Sequence, residues 1–166
     1  ITFRERPSGL AEKNYFVCGS RVKLSPEVTH RIMASKNFKL NIWNMPTSFL
    51  LNSFRSKFLR HYMALRYAKK IDHLRGCNMA FWKEDLIKVN GYNEDLMQWG
   101  HEDGEIAFRL HFAGVKKKAL KMGGAVYHLY HKEASRDNEQ RHFTELEKVK
   151  KEHLSWCENG IDKYLR

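Results

Sequence analysis

The stretch from Arg75 to Leu110 constrains the fold most, because it places two adjacent carboxylates at the start of a predicted helix. A Trp-Gly turn precedes them, so Glu102 and Asp103 fall at the first turn of a helix predicted to run to Ala113. Backbone N–H groups and the positive end of the helix dipole favour ionised carboxylates there. The pattern predicts a general base that is charged at neutral pH. A simpler interpretation is that the two acidic residues only complement the positive end of the helix dipole.

Predicted strands alternate with predicted helices along the chain, which favours an α/β fold. Ser25 and Pro26 are typical of a helix start, and Gly114 is typical of the residue just after a helix. Thr47-Ser48 is a second possible cap. The predicted strands cover 15–18 (ended by Gly19-Ser20), 76–82, 115–121 and 125–131, and the predicted helices cover 26–35, 49–70, 83–89, 103–113 and 141–165.

Length and composition indicate one globular domain with an ordinary core, since 42% of the 166 residues are hydrophobic. No apolar run is long enough to span a bilayer, and the first residues, which lack an initiator Met, indicate a piece of a longer protein. Three cysteines without a CxxC pair predict neither a disulfide framework nor a zinc site. We therefore expect a reducing, cytoplasmic setting.

The net charge of +11 is concentrated in residues 28–71, which contain nine Lys and Arg and no Asp or Glu. Within the helix predicted there, an apolar stripe recurs at helical spacing: Leu51, Phe54, Phe58, Tyr62 and Leu65. One interpretation is a surface helix that packs on the sheet through this stripe. The other is a basic aromatic face, within residues 49–70, that contacts an anionic membrane or an acidic acceptor. No nucleic-acid-binding motif accompanies the charge, so nucleic acid is not expected as a partner.

Three spaced motifs in the central stretch resemble the C-terminal half of inverting, GT-A-type glycosyltransferases. The motifs are Gly76-Cys77-Asn78-Met79-Ala80-Phe81, Gly91-Tyr92-Asn93-Glu94 and Trp99-Gly100-His101-Glu102-Asp103, followed by Arg109-Leu110. The similarity is greatest to the galactosyltransferase-type members of the large family that also holds chondroitin-type polymerases and bacterial polysaccharide enzymes. It implies the acceptor-side part of a GT-A nucleotide-diphospho-sugar transferase fold, a small mixed sheet flanked by helices. The expected organisation is an extended segment at 1–14, an acceptor-side domain at 15–141 and a C-terminal helix at 142–166.

The resemblance implies transfer of a hexose, galactose or a related sugar, from a UDP-sugar to a saccharide or lipid-linked saccharide acceptor with inversion. Such a reaction needs a carboxylate that takes the proton of the attacking hydroxyl and a cation, Mn²⁺ or Mg²⁺, on the diphosphate. Asp103 matches the catalytic base of the family, and Glu102 matches the neighbour that orients the acceptor hydroxyl. The expected setting is polysaccharide biosynthesis in the cytoplasm or at the inner face of the membrane.

The resemblance also assigns substrate contacts around these carboxylates. Trp99, beside Gly100, would stack on a sugar ring. The alternative is that Trp99 packs in the core or anchors the loop. His101 replaces a glycine that is common in galactosyltransferase-type members, which puts the acceptor preference in doubt. The other expected contacts are Gly76 and Asn78 beneath the donor sugar and Arg136, with Lys132, near the diphosphate.

Two histidines, His128 and His131, are the candidate metal ligands. In an extended strand they would point to opposite faces, so both can bind one ion only if the strand turns between them. The family places a metal-ligating histidine here, His128 being the first choice and His131 the second. The alternative is that one of them is a packed or surface histidine.

The Asp-x-Asp motif that holds the divalent ion in this class of enzyme is missing from the expected place, since no such strand precedes Tyr15. Asp103-Gly104-Glu105 has the right letters, but it opens a helix, so we reject it. The sequence therefore predicts the acceptor-side half of a transferase, inactive when alone. The alternative from another class is a non-catalytic basic module that binds a membrane surface or a protein partner.

Overall fold

The computed structural model describes residues 11–39 and 56–165. The predictions for 1–10, for the Thr47-Ser48 cap and for Leu51 and Phe54 lie outside the described residues. None of the described helices is long and apolar enough to cross a membrane.

The described strands form one mixed sheet with three strands in the order β2-β1-β3. The central strand β1 (Tyr15–Lys23) pairs antiparallel with β2 (Met79–Ala80) and parallel with β3 (Lys116–His128). The α/β prediction and the small mixed sheet are confirmed. The strand predicted at 76–82 is only these two residues long, because 76–78 form a 3₁₀ turn.

Two predicted strand boundaries are wrong for one reason, a register shift between β1 and β3. Gly19 pairs with Leu120 and the next residue, Ser20, pairs with Ala125, so four residues of β3 have no partner on β1. The glycine pair in this bulge had predicted a turn between two strands, whereas β3 is continuous. Gly19-Ser20 likewise do not end β1, because pairing resumes beyond the bulge.

Among the described residues, five α-helices flank the sheet: α1 (Pro26–Ser35), α2 (Lys57–Ala68), α3 (Lys83–Lys88), α4 (Glu102–Phe112) and α5 (Glu139–Glu152). The prediction for α1 is confirmed, including its cap, because the Ser25 hydroxyl accepts the Val28 N–H at 3.3 Å. Gly114 follows α4 with a φ of 86°, as predicted. The extension of α5 to Leu165 is wrong, because His153 adopts a left-handed conformation with a φ of 53° and ends the helix.

Helix α2 corrects the interpretation of the basic segment in two ways. It begins at Lys57, because Ser56 is extended and its hydroxyl accepts the Leu59 N–H, so the helix predicted over 49–70 is not continuous. The predicted stripe does not pack on the sheet: Phe58 is 82% exposed, Tyr62 55% and Leu65 64%. The opposite side of α2 faces β3, where the Lys121 ammonium lies 5.1 Å from the centre of the Tyr67 ring.

The core lies between the sheet and α4. Phe16 and Cys18 from β1 pack with residues of α4 and of the segments around it, and Ile106, Ala107 and Leu110 are fully buried. Burial of the apolar face of α4 fixes the start of this helix. Asp103, in its first turn, is thereby held against the 3₁₀ turn that precedes β2.

Candidate active site

The carboxylate of Asp103 lies directly against the backbone of Gly76. The Gly76 N–H donates to this carboxylate, and a Cβ built on Gly76 would lie 1.8 Å from Oδ2 of Asp103. Atoms cannot approach that closely, so any side chain at position 76 would displace the carboxylate. The resemblance placed Gly76 beneath the donor sugar. In the structure, Gly76 instead sets the position of Asp103, the candidate base.

The pKa of Asp103 is raised above the ordinary value for an aspartate. Burial is the largest cause, and the negative charge of Glu102 adds to it. The Tyr92 hydroxyl, the Gly76 N–H and the charge of Arg21 oppose the rise, because each favours the ionised form. A carboxylate of raised pKa binds a proton more strongly, which is what a general base requires.

Tyr92 is a site residue that sequence reasoning did not assign, although it belongs to one of the recognised motifs. Its hydroxyl lies 3.5 Å from Oδ1 of Asp103, and its ring meets Phe81 edge to face. The pKa of Tyr92 is raised, first by burial and then by the charge of Asp103. The phenol therefore stays protonated and can donate to the carboxylate.

A buried ion pair fixes the loop that carries Tyr92. Arg109 contacts both carboxylate oxygens of Glu105 at 2.7 Å and donates to the carbonyls of Val89 and Gly91. Both side chains of the pair are at most 1% exposed. Both carboxylate oxygens of Glu105, the last residue of Asp103-Gly104-Glu105, are thus held by Arg109.

The turn before α4 is closed by its own backbone and side chains. Glu102 accepts the Gly100 N–H at 2.8 Å, and the Gly100 carbonyl lies 2.7 Å from Nδ1 of the buried His142. Gly100 and His101 both have positive φ angles, 124° and 62°. The left-handed conformation at His101 gives a physical reason for the glycine common at this place in related enzymes.

A cavity of about 340 Å³ opens beside the candidate base. Its lining includes Asp103 and Asp72 together with aromatic residues, a mixture that suits a polyhydroxylated ligand. Its other residues are Leu74, His101, Gly104, Phe108, Phe143, Leu146 and Lys150. Neither Glu102 nor His128 belongs to this lining.

Trp99 and Arg136, both assigned to substrate by resemblance, contact each other. The Arg136 guanidinium lies 4.5 Å from the centre of the Trp99 ring, and its nitrogens also approach Glu133 and Glu139. Trp99 is 41% exposed. The face of its ring opposite Arg136 is the one on which a sugar could stack.

Asn78 bridges the two long strands at their register shift. Its side-chain amide donates to the carbonyls of Ser20 and Gly124, each at 2.7 Å. A Cβ on Gly19 would lie 2.1 Å from this amide nitrogen. Both N–H donors of Asn78 are thus used inside the protein, and its oxygen is what it can offer to a sugar hydroxyl.

His128 and His131 meet, although their spacing in a strand would separate them. Strand β3 ends at His128 and the chain turns, so that the two Nε2 atoms lie 2.9 Å apart. Nδ1 of His131 lies 2.9 Å from the Lys132 carbonyl, which can only accept. That contact puts the proton of neutral His131 on Nδ1, so its Nε2 accepts a hydrogen bond from Nε2 of His128. For both Nε2 atoms to bind one metal ion, His128 would have to carry its proton on Nδ1.

The donor set fits a shared divalent ion only in part. The two imidazole nitrogens are close enough to bind one ion, and burial, with the charges of Arg21, His131 and Lys23, lowers the pKa of His128 and favours its neutral form. Within 11–39 and 56–165, no group of three or more His, Cys, Asp or Glu side chains is placed to hold a metal. A divalent ion at this pair would therefore need further ligands from a nucleotide or from protein outside these residues.

Arg21 on β1 links the base to the histidine pair. Its positive charge acts on both Asp103 and His128. Among the described residues, no acidic side chain forms an ion pair with Arg21. Sequence reasoning missed this residue, because nothing in its neighbourhood along the chain marks it.

Two comparisons with known proteins agree with this arrangement. Residues 56–132 match the family described as the N-terminal domain of galactosyltransferase. A chondroitin synthase of Pasteurella multocida (strain Pm70) is 38% identical over 74 residues, which cover 39% of this chain and 8% of that protein. Both matches support a GT-A-like glycosyltransferase domain, and neither covers half of this chain. The matched stretch is 8% of the length of that relative, so the activity, donor, acceptor and linkage of this chain are matters for proposal.

Proposed function

We propose that this chain forms the acceptor side of an inverting hexosyltransferase, which uses a UDP-sugar donor and a saccharide or lipid-linked saccharide acceptor. The observation that carries the proposal is Asp103, a residue that lines an open cavity and whose carboxylate has a raised pKa and lies against Gly76. Galactose, or a related hexose, is the sugar that the resemblance favours.

In the proposed reaction, the acceptor occupies the cavity with one hydroxyl against Asp103. As that oxygen attacks the anomeric carbon, Asp103 takes its proton, and the bond from the anomeric carbon to the diphosphate oxygen breaks with its electron pair on UDP. Tyr92 and the Gly76 N–H keep the carboxylate oriented during this step. Glu102 lies outside the lining of the cavity, and its bond to the Gly100 N–H holds the turn that positions Asp103.

His128 and His131 would hold Mn²⁺ or Mg²⁺, which supplies positive charge to a departing diphosphate. Arg21 on β1 adds a positive charge that acts on both Asp103 and His128. Both features support placing the diphosphate between the histidine pair and Asp103.

The test is a transfer assay on the protein with its natural flanking sequence, in which released UDP is measured for a panel of UDP-hexoses. Asp103→Asn should lower turnover by about 10²- to 10⁴-fold, the range for loss of a general base. Asp137→Asn, an exposed aspartate outside the cavity, is the matched control and should keep wild-type turnover. Near-normal turnover of Asp103→Asn would refute the assignment.

We further propose that residues 1–166 alone transfer no sugar and bind UDP weakly, because a large share of a two-substrate rate comes from positioning both substrates. The described residues offer a base and two imidazoles, but no uracil site is recognised among them. Calorimetry with UDP and Mn²⁺ tests this directly. Micromolar affinity would show that a complete donor site exists in these residues.

A further inference from the structure

Helix α2 carries an exposed apolar stripe that the proposed catalytic role does not use. Phe58, Tyr62 and Leu65 follow one another at helical spacing and are more than half exposed. Within 11–39 and 56–165, none of these three side chains takes part in a ring–ring or cation–π contact. We call Phe58, Tyr62 and Leu65 the α2 stripe.

The packing of α2 shows that the stripe points away from the sheet. At about 100° per residue, Tyr67 is turned by roughly 140° to 180° from each residue of the stripe. Tyr67 faces β3 through Lys121, and Met63 and Ala64 on the same side are half-buried. The helix therefore has an inner face that packs and an outer face that is apolar, which reverses the usual arrangement of a surface helix.

The charge around the stripe is of one sign. No acidic residue occurs between Val28 and Ile71, and Arg66, Lys69 and Lys70 at the end of α2 are exposed. An apolar face with aromatic residues and basic neighbours is the pattern of a helix that lies in the headgroup region of an anionic membrane. An acidic protein would match the charge but would not need a Phe, a Tyr and a Leu aligned on one face.

We propose that the α2 stripe docks on an anionic lipid surface, with Phe58 and Leu65 inserted among the acyl chains and the three cations at the lipid headgroups. The cytoplasmic leaflet is the anionic one in cells, so that leaflet is the expected partner. This surface is independent of the proposed base, and its test does not depend on catalytic activity.

The experiment is vesicle co-sedimentation of the full chain, with phosphatidylcholine vesicles and with vesicles that also contain phosphatidylglycerol. The chain should sediment with the anionic vesicles, and added salt should weaken binding because the cations contribute. The double variant Phe58→Ser/Leu65→Ser should bind roughly tenfold more weakly or worse. Lys69→Gln should weaken binding by about fivefold.

The matched control is Met97→Ser/Leu165→Ser, which removes exposed apolar side chains elsewhere on the surface and should bind like the wild type. Melting temperatures of all variants are measured in parallel. Equal binding by the stripe variant and the control would overturn the proposal, as would equal binding to both kinds of vesicle. A stripe variant that melts markedly lower while vesicle binding is unchanged would mean that the stripe packs inside the protein, which also overturns it.

Discussion

Gly76 and Asp103 approach so closely that position 76 has room for no side chain, since a Cβ there would lie 1.8 Å from the Asp103 carboxylate. This contact connects the 3₁₀ turn before β2 with the first turn of α4. The position of the candidate base is thus set by a residue 27 positions earlier in the chain, and by the packing that joins the two elements.

Gly76→Ala should therefore abolish sugar transfer without unfolding the protein. The new methyl group pushes the Asp103 carboxylate out of its place, and a short aspartate can rotate towards the open cavity. We expect turnover to fall by about 10²-fold or more, with a small change in melting temperature. Gly104→Ala, which meets Leu146 at an ordinary 3.6 Å, is the folding control and should be slightly stabilising because Ala is the better helix former. If Gly76→Ala kept the turnover of the wild type, the close contact between Gly76 and the Asp103 carboxylate would not matter for the reaction.

Asp103→Asn should stabilise the fold at neutral pH. The pKa of Asp103 is raised in the folded state, so the folded protein binds the proton more tightly than the unfolded chain does. The ionised Asp103 therefore destabilises the fold. This destabilisation is fully present at a pH above the pKa of Asp103 in the folded protein, and it disappears as the pH falls below the pKa of Asp103 in the unfolded chain. The gain in melting temperature over the wild type should therefore shrink on acidification, as thermal scans at neutral and acidic pH can measure. A gain that grows on acidification would mean a depressed pKa.

The histidine pair predicts a specific pattern of metal binding. His128→Ala should weaken Mn²⁺ binding in the presence of UDP by about tenfold or more. His131→Ala should have the smaller effect, because His128 ends a strand and is better fixed. Calorimetry on the protein with its natural flanking sequence measures both, with His30→Ala, an exposed histidine of α1, as the control. Unchanged affinity in both variants would show that the pair is structural.

Glu105→Gln should be strongly destabilising, since it leaves the Arg109 charge buried without a counter-charge. Loss of one partner of a buried pair costs about 3–5 kcal/mol. The control is Glu147→Gln, which breaks the exposed pair with Lys150 and should cost less than about 1 kcal/mol. Urea denaturation gives both values. Similar midpoints for the two variants would refute the structural importance of the buried pair.

Local signals were enough to predict several elements from the sequence. The Ser25 cap, the start of α4 and Gly114 after it depend on residues that are neighbours along the chain, and these predictions are confirmed. The meeting of His128 and His131 was allowed only if the strand ended between them, which it does. Periodicity could not show which face of α2 is buried, because an apolar stripe looks the same whether it packs on the sheet or faces outward.

Other features of the site depend on tertiary contacts that no local pattern encodes. The roles of Gly76 and Asn78 became visible only with Asp103 and Gly124 in place. Arg21 is distant from Asp103 and His128 along the chain, so its charge could not be assigned to either. The two glycines of the β3 bulge predicted a turn, whereas pairing with β1 on both sides keeps the strand continuous.

Asn90 ties the last described turn to the loop beside Tyr92. Its side chain donates to the Cys157 carbonyl and accepts the Asp162 N–H, and its backbone carbonyl accepts the Ile161 N–H. Cutting the chain just before Cys157 would remove all three partners and leave a fully buried amide unsatisfied. Shortened forms made for crystallisation or expression therefore need to extend through Asp162, and an affinity tag belongs beyond that residue.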